Sequence, residues 1–138
     1  NLTETDKTGW PTVNLMDLQV GSVSKFLVDD SGNVTSAGFF KGSVTATITA
    51  STTQTQGQGA LTTAINEVAT VVNANDTVTL PVAVAGRKVV IINNGANTLQ
   101  IFPASGDNLG AGLNNSTTLA AGSNVTYGAY DATNWESI

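Results

Sequence analysis

The stretch that decides the fold is Lys88-Val-Val-Ile-Ile92, then Asn93-Asn-Gly-Ala-Asn97, then Thr98-Leu-Gln-Ile-Phe102, stopped by Pro103. The first piece is a continuous, β-branched apolar run, the pattern of a strand buried on both faces. In the middle piece, Asn and Gly tolerate the positive φ that tight turns require. In the third piece Leu99 and Ile101 share one face, as alternation along a strand demands. Together the three predict a strand, a hairpin turn and a return strand.

Outward from this centre the same grammar continues. Thr77-Val-Thr-Leu80 ends at Pro81, and Ala85-Gly86 reads as a turn. Strands are expected around Ser116–Leu119 and Asn124–Tyr130, separated by the turns Ala121-Gly122 and Asp131–Asn134, with Trp135 near the chain's last residue. Short strands with turn signals every roughly 8–12 residues predict a β-sandwich or a jelly-roll-like domain. Residues 60–73 fit two patterns. Leu61, Ile65, Val68 and Val72 have helical spacing, but Thr and Val are poor helix formers, which favours a strand.

Upstream, residues 51–59 (STTQTQGQG) carry no hydrophobic side chain and read as a linker. Before it, Ser43–Ser51 alternates Val44, Ala46, Ile48 and Ala50 against threonines, a period of two. Lys25–Val28, Asp29-Asp-Ser-Gly-Asn33 and Val34–Phe40 form a second hairpin signal. Residues 1–20 look irregular. Proline disfavours helix at the residue before it, so Trp10-Pro11 is an extended or turn pair. Trp10 either covers a local cluster with Val13 and Leu15 or anchors an arm in a neighbouring subunit, aromatics being favoured interface anchors. The chain opens on Asn1 and its one methionine is Met16, so an N-terminal segment is expected to have been removed or the chain to be part of a longer product. The expected organisation is an N-terminal arm and β stem over 1–50, a linker over 51–59 and a β-sandwich domain over 60–138.

Composition narrows function. Of 138 residues 41% are hydrophobic, enough for a core, while 11% are charged, against about 25% in ordinary soluble domains. Interface centres are poor in charge, so this balance fits a chain that buries surface in partners. The net charge is −5, with five Lys/Arg dispersed along the chain. No basic stripe is present to neutralise phosphates, which argues against a nucleic-acid partner. No apolar run approaches the roughly 20 residues of a membrane-spanning helix.

The chain has no His and no Cys. Ser-His-Asp and Cys-His nucleophiles are therefore excluded in their usual forms, and zinc loses its two preferred ligand types. The adjacent Asp29 and Asp30 read as turn residues, and their loop lacks the alternating ligands and distal Glu of a calcium-binding EF-hand. No catalytic, metal or cofactor site is expected, and the chain reads as non-enzymatic. Tyr130 and Trp135 are the candidate glycan-contact surface, set against the alternative that they close one end of the core.

Several of these segments together resemble a β module of tailed-phage virion appendages: tail fibres, spikes and capsid-decorating head fibres. They are Thr77-Val-Thr-Leu-Pro81, Val84-Ala-Gly86, Val89–Asn97, Leu99-Gln-Ile-Phe-Pro103, Ser105-Gly-Asp107, Leu119-Ala-Ala-Gly122 and Trp135. The likeness covers roughly residues 60–138. A shorter one covers residues 26–40, where Phe26-x-Val28-Asp29-x-x-Gly32-Asn33-Val34-x-x-x-Gly38 is similar to a stem unit of trimeric tail fibres. The resemblance implies a homotrimer exposed on the virion exterior, with a structural or host-attachment role. Its partners would be capsid or tail proteins, and a host-surface glycan if the surface loops act as a receptor-binding module. Phe26, Val28, Phe39 and Phe40 are the candidate trimer interface, and Trp10 and Pro11 the candidate anchor.

Overall fold

A computed structural model describes residues 14–138, which are all-β, with eleven strands in three sheets and no helix among those residues. Trp10 and Pro11 lie outside the described residues. The chain divides into two compact units between Lys41 and Gly42.

The N-terminal unit is a three-stranded antiparallel meander of β1 (Asn14–Val20), β2 (Val23–Asp29) and β3 (Val34–Ser36). Residues 14–20, expected to be irregular, are a strand. The Gly21-Ser22 turn that joins β1 to β2 has φ of 60° at both residues, the twist that matches paired strands. The expected hairpin over residues 25–40 is present, with Phe26 opposite Ser36 and Val28 opposite Val34, but its return strand ends at Ser36.

The C-terminal unit holds two sheets. β4 (Val44–Thr49), β5 (Ile65–Thr70), β7 (Lys88–Asn93), β10 (Asn124–Ala129) and β11 (Trp135–Ser137) form one, in the order β11-β10-β7-β5-β4. β6 (Asp76–Thr79), β8 (Leu99–Phe102) and β9 (Thr117–Leu119) form the other. Their inner faces share one core. Val68, Val89, Ile91, Tyr127 and Trp135 from the larger sheet meet Val78, Leu99, Ile101 and Leu119 from the smaller. Face-to-face burial of this kind is the logic of a β-sandwich. The ambiguous segment 60–73 contains β5, a strand.

The connectivity departs from the expected hairpin. β7 and β8 lie in different sheets and do not pair with each other. Residues 94–98 instead carry the chain across the core, as residues 71–75 do between β5 and β6. The two arches stack, so β5 runs parallel to β7 and β6 parallel to β8. Parallel pairs also set this unit apart from an all-antiparallel jelly roll.

The physical reason lies in Asn93 and Gly95. Asn94 and Gly95 do not take the positive φ of a two-residue hairpin turn. The Asn93 side chain turns inward and is fully buried. Its amide donates to the carbonyls of Asn97 (3.0 Å), Leu119 (3.0 Å) and Ala120 (3.2 Å), and its oxygen accepts from Gly95 N–H (3.1 Å). Gly95 lies against Val71 in the arch below, where a Cβ would meet the Val71 side chain at 2.6 Å. Asn97 completes the stack by donating to the carbonyls of Val71 and Val72.

The expected linker at 51–59 is part of the domain. β4 precedes it and pairs in parallel with β5. Ser51 and Thr77 exchange backbone hydrogen bonds, and Leu61 N–H donates to Thr79 O. Gln54 reaches Ala74 O, Gln56 reaches Pro103 O and the Asn114 side chain, and Gly57 N–H donates to the Thr79 hydroxyl. The segment covers the free edge of β6 with polar groups, which is why it has no apolar side chain and why β6 is buried throughout. The boundary therefore falls at Lys41/Gly42 rather than at 51–59.

Asn93→Ala leaves several buried carbonyls without a donor. It is expected to lower unfolding free energy by about 1–3 kcal/mol or more in urea titrations. Gly95→Ala forces the two arches apart and is expected to reduce the midpoint further, whereas Gly86→Ala in an open turn affects only its positive φ.

Candidate functional site

The engaged carboxylates are held by neutral donors. Asp29 accepts from Ser31 N–H, Asn33 N–H and the Asn33 amide. Asp131 does the same with Thr133 N–H, Asn134 N–H and the Asn134 amide. These are side-chain-closed turns. Asp76, fully buried, accepts from Asn73 N–H at 2.8 Å, and Glu67 from Thr47 N–H at 2.6 Å. In each case the donors lower the carboxyl below its ordinary value. The largest causes are the Asn33 amide at Asp29, Thr47 N–H at Glu67, Asn73 N–H at Asp76 and Thr133 N–H at Asp131. Buried Asp107 accepts from Ala83 N–H at 2.7 Å, fixing the segment before β7. Each of these acids has a structural hydrogen-bonding role. No group of three or more potential ligands for a metal ion occurs among the described residues.

Two surface features stand out among the described residues. The first is one face of the N-terminal sheet. Register places Met16 opposite Val28, Leu18 opposite Phe26, and Val34 opposite Val28, so these five side chains share a face. Phe40 packs edge-to-face on Phe26, with ring centroids 6.3 Å apart. No side chain described in residues 15–41 is buried. Leu18 is 58% exposed, Phe40 68% and Phe39 98%. The structure thus brings Phe26, Val28 and Phe40 together, while Phe39 stands free. Met16, Leu18 and Val34 belong to the same face and were not singled out from sequence, although the alternation Met16, Leu18, Val20 carries the signal.

The second is a cavity of about 250 Å³ at the start of β7, lined by Ser43, Thr62, Thr63, Ala64, Pro81, Arg87, Lys88 and Val89. Its residues come from four separate stretches of chain, so sequence spacing does not reveal it.

The expected glycan-contact pair does not form. Tyr130 is 64% exposed, but Trp135 is 1% exposed and packs in the core. β11 pairs with β10 so that Trp135 lies opposite Ala129 and points inward beside Tyr127 and Ala129. Its indole N–H has no acceptor among the described residues.

No protein-family model matches the chain, and no curated protein or solved structure shows significant similarity to it.

Two outcomes follow from these contacts. Glu67, Asp76 and Asp131 have folded-state values lowered from 4.5 for Glu and 3.8 for Asp. Their ionised forms stabilise the fold above those values, and that contribution is lost as pH falls through the lower folded-state values. Melting temperature is expected to be flat above pH ~5 and to drop on acidification below ~4, with Asp76→Asn flattening the acid limb. Trp135→Ala should destabilise by about 3–5 kcal/mol. Trp135→Phe should cost clearly less because it also removes the unsatisfied N–H, as denaturation followed by circular dichroism would show.

Proposed function

We propose that the protein is a non-enzymatic structural component of a tailed-phage virion, a trimeric capsid decoration, head fibre or tail-fibre piece exposed on the particle's exterior. The observation that carries this reading is the uncovered apolar face of the N-terminal sheet. A three-stranded meander needs a buried hydrophobic face to be stable. The face formed by Met16, Leu18, Phe26, Val28 and Val34 remains half-buried or exposed in a single chain. Packing three copies around an axis would cover it. Each large side chain fully withdrawn from water contributes about 1.5–3 kcal/mol. The sequence likeness to phage stem units over residues 26–40 supplies the choice of three copies, the likeness over 60–138 the choice of particle.

Low charge and an acidic balance support placement away from DNA. The C-terminal sandwich has its own core, so it would project from the particle while the stem assembles. Residues 1–13, with Trp10 and Pro11, would supply the contact to a capsid or tail protein.

Analytical ultracentrifugation tests the assembly. The wild-type chain is expected to sediment at three times its 14.1 kDa mass. Phe26→Asp should shift it to a monomer whose sandwich still unfolds cooperatively, with buried Trp135 as the fluorescent reporter. A wild-type chain that is monomeric and fully folded overturns the reading. Gold labelling of the subunit on intact particles, viewed by electron microscopy, tests the external location.

A further inference from the structure

The cavity at the start of β7 concentrates the positive charge of its unit. Residues 42–138 contain two cations, Arg87 and Lys88, against five carboxylates: Glu67, Asp76, Asp107, Asp131 and Glu136. Both cations line this one cavity. Thr62 and Thr63, from the segment before β5, and Ser43, from just before β4, also line it. Ala64 and Pro81 form an apolar part of the wall.

The polar groups are held in place by the fold. Thr63 Oγ1 is fixed by the Thr45 hydroxyl, the Ile65 carbonyl and the buried Asn66 side chain. Ser43 Oγ accepts from Ala64 N–H at 3.0 Å. Arg87 is braced by one bond, from its guanidinium to the Val82 carbonyl at 2.8 Å. A guanidinium has five N–H donors and an ammonium three, so donors remain for a ligand. Two adjacent cations in one concavity repel each other, and an anion between them relieves that repulsion.

We propose that this cavity binds a carboxylate-bearing monosaccharide, free or at the end of a glycan. The carboxylate would lie between Arg87 and Lys88, sugar hydroxyls would reach Thr62, and the C–H face of the ring would lie on Ala64 and Pro81. Guanidinium is suited to carboxylate because its fork matches the two oxygens. Cavities for drug-sized ligands run from about 300 Å³ upward, so this one is matched to a single sugar ring. All its lining residues lie between 43 and 89, and the inference does not depend on how many copies assemble.

The test is amide-resolved NMR titration of the full-length chain with glucuronate. N-acetylglucosamine serves as the neutral control and inorganic phosphate as the bare anion. Saturable shifts are expected at Thr62, Ala64, Lys88 and Val89 with glucuronate, with Kd on the order of 1 mM. Raising the salt concentration should weaken binding, as screening acts on exposed cations. Arg87→Gln/Lys88→Gln should weaken it by about tenfold or more while leaving distant amides unmoved, which shows that the variant is folded. Absence of a saturable shift with glucuronate overturns the proposal. So does an equal response to N-acetylglucosamine, or a response to phosphate alone. A variant that ignores sugars like the wild type but changes sedimenting mass would make the cavity a contact between copies, and would also overturn it.

Discussion

The Asn93 carboxamide is the contact on which the C-terminal sandwich depends. It lies where three crossings between sheets converge: residues 71–75, 94–98 and 120–123. One buried side chain holds Asn97, Leu119 and Ala120 by their carbonyls and Gly95 by its N–H. The Asn93 backbone donates to Ser123 O and accepts from Gly122 N–H, tying in the third crossing. A buried amide is tolerated in an apolar core only when its donors and acceptor are satisfied. Here they are, and satisfaction selects one connectivity. A β7–β8 hairpin would direct both strands into one sheet and leave the arch carbonyls without their donor.

Stacked arches then position everything else. Because β5 and β7 are parallel neighbours, the segment leading into β5 and the segment leading into β7 reach the same end of the sheet. That juxtaposition puts Thr62–Ala64 beside Arg87–Val89, and Ser43, the residue before β4, joins them. The cavity with both cations of the unit is a consequence of parallel pairing. An antiparallel pairing of the same two strands would put their leading segments at opposite ends.

The N-terminal unit follows a different economy. It is a local meander with tight turns and no buried side chain among residues 15–41. Its turns are self-sufficient: Asp29 closes one with three hydrogen bonds, and the Gly21-Ser22 pair has the backbone twist of a hairpin. Its faces are not self-sufficient, and Phe39 and Phe40 stand in water. The sandwich differs in that its core is complete within one chain.

Strand identity was legible in the sequence because side-chain alternation and turn chemistry are local. Lys88–Ile92, Leu99–Phe102, Asn124–Tyr130 and the hairpin around Asp29–Asn33 are where the pattern puts them. The absence of His and Cys excluded whole classes of chemistry outright. Partnership between strands was decided only by the tertiary structure, because it depends on groups distant in sequence. Asn93-Asn-Gly reads as a hairpin turn until Val71 is packed against Gly95 and the carbonyls of Leu119 and Ala120 are brought to the Asn93 amide. The polar run 51–59 reads as a linker until the edge of β6 is placed beside it. Trp135 reads either as a surface aromatic or as a residue closing one end of the core, and its pairing with Ala129 turns it inward. Arg87 and Lys88 are neighbours in the sequence, and they meet Thr62–Ala64 in one cavity only because parallel strands begin at the same end.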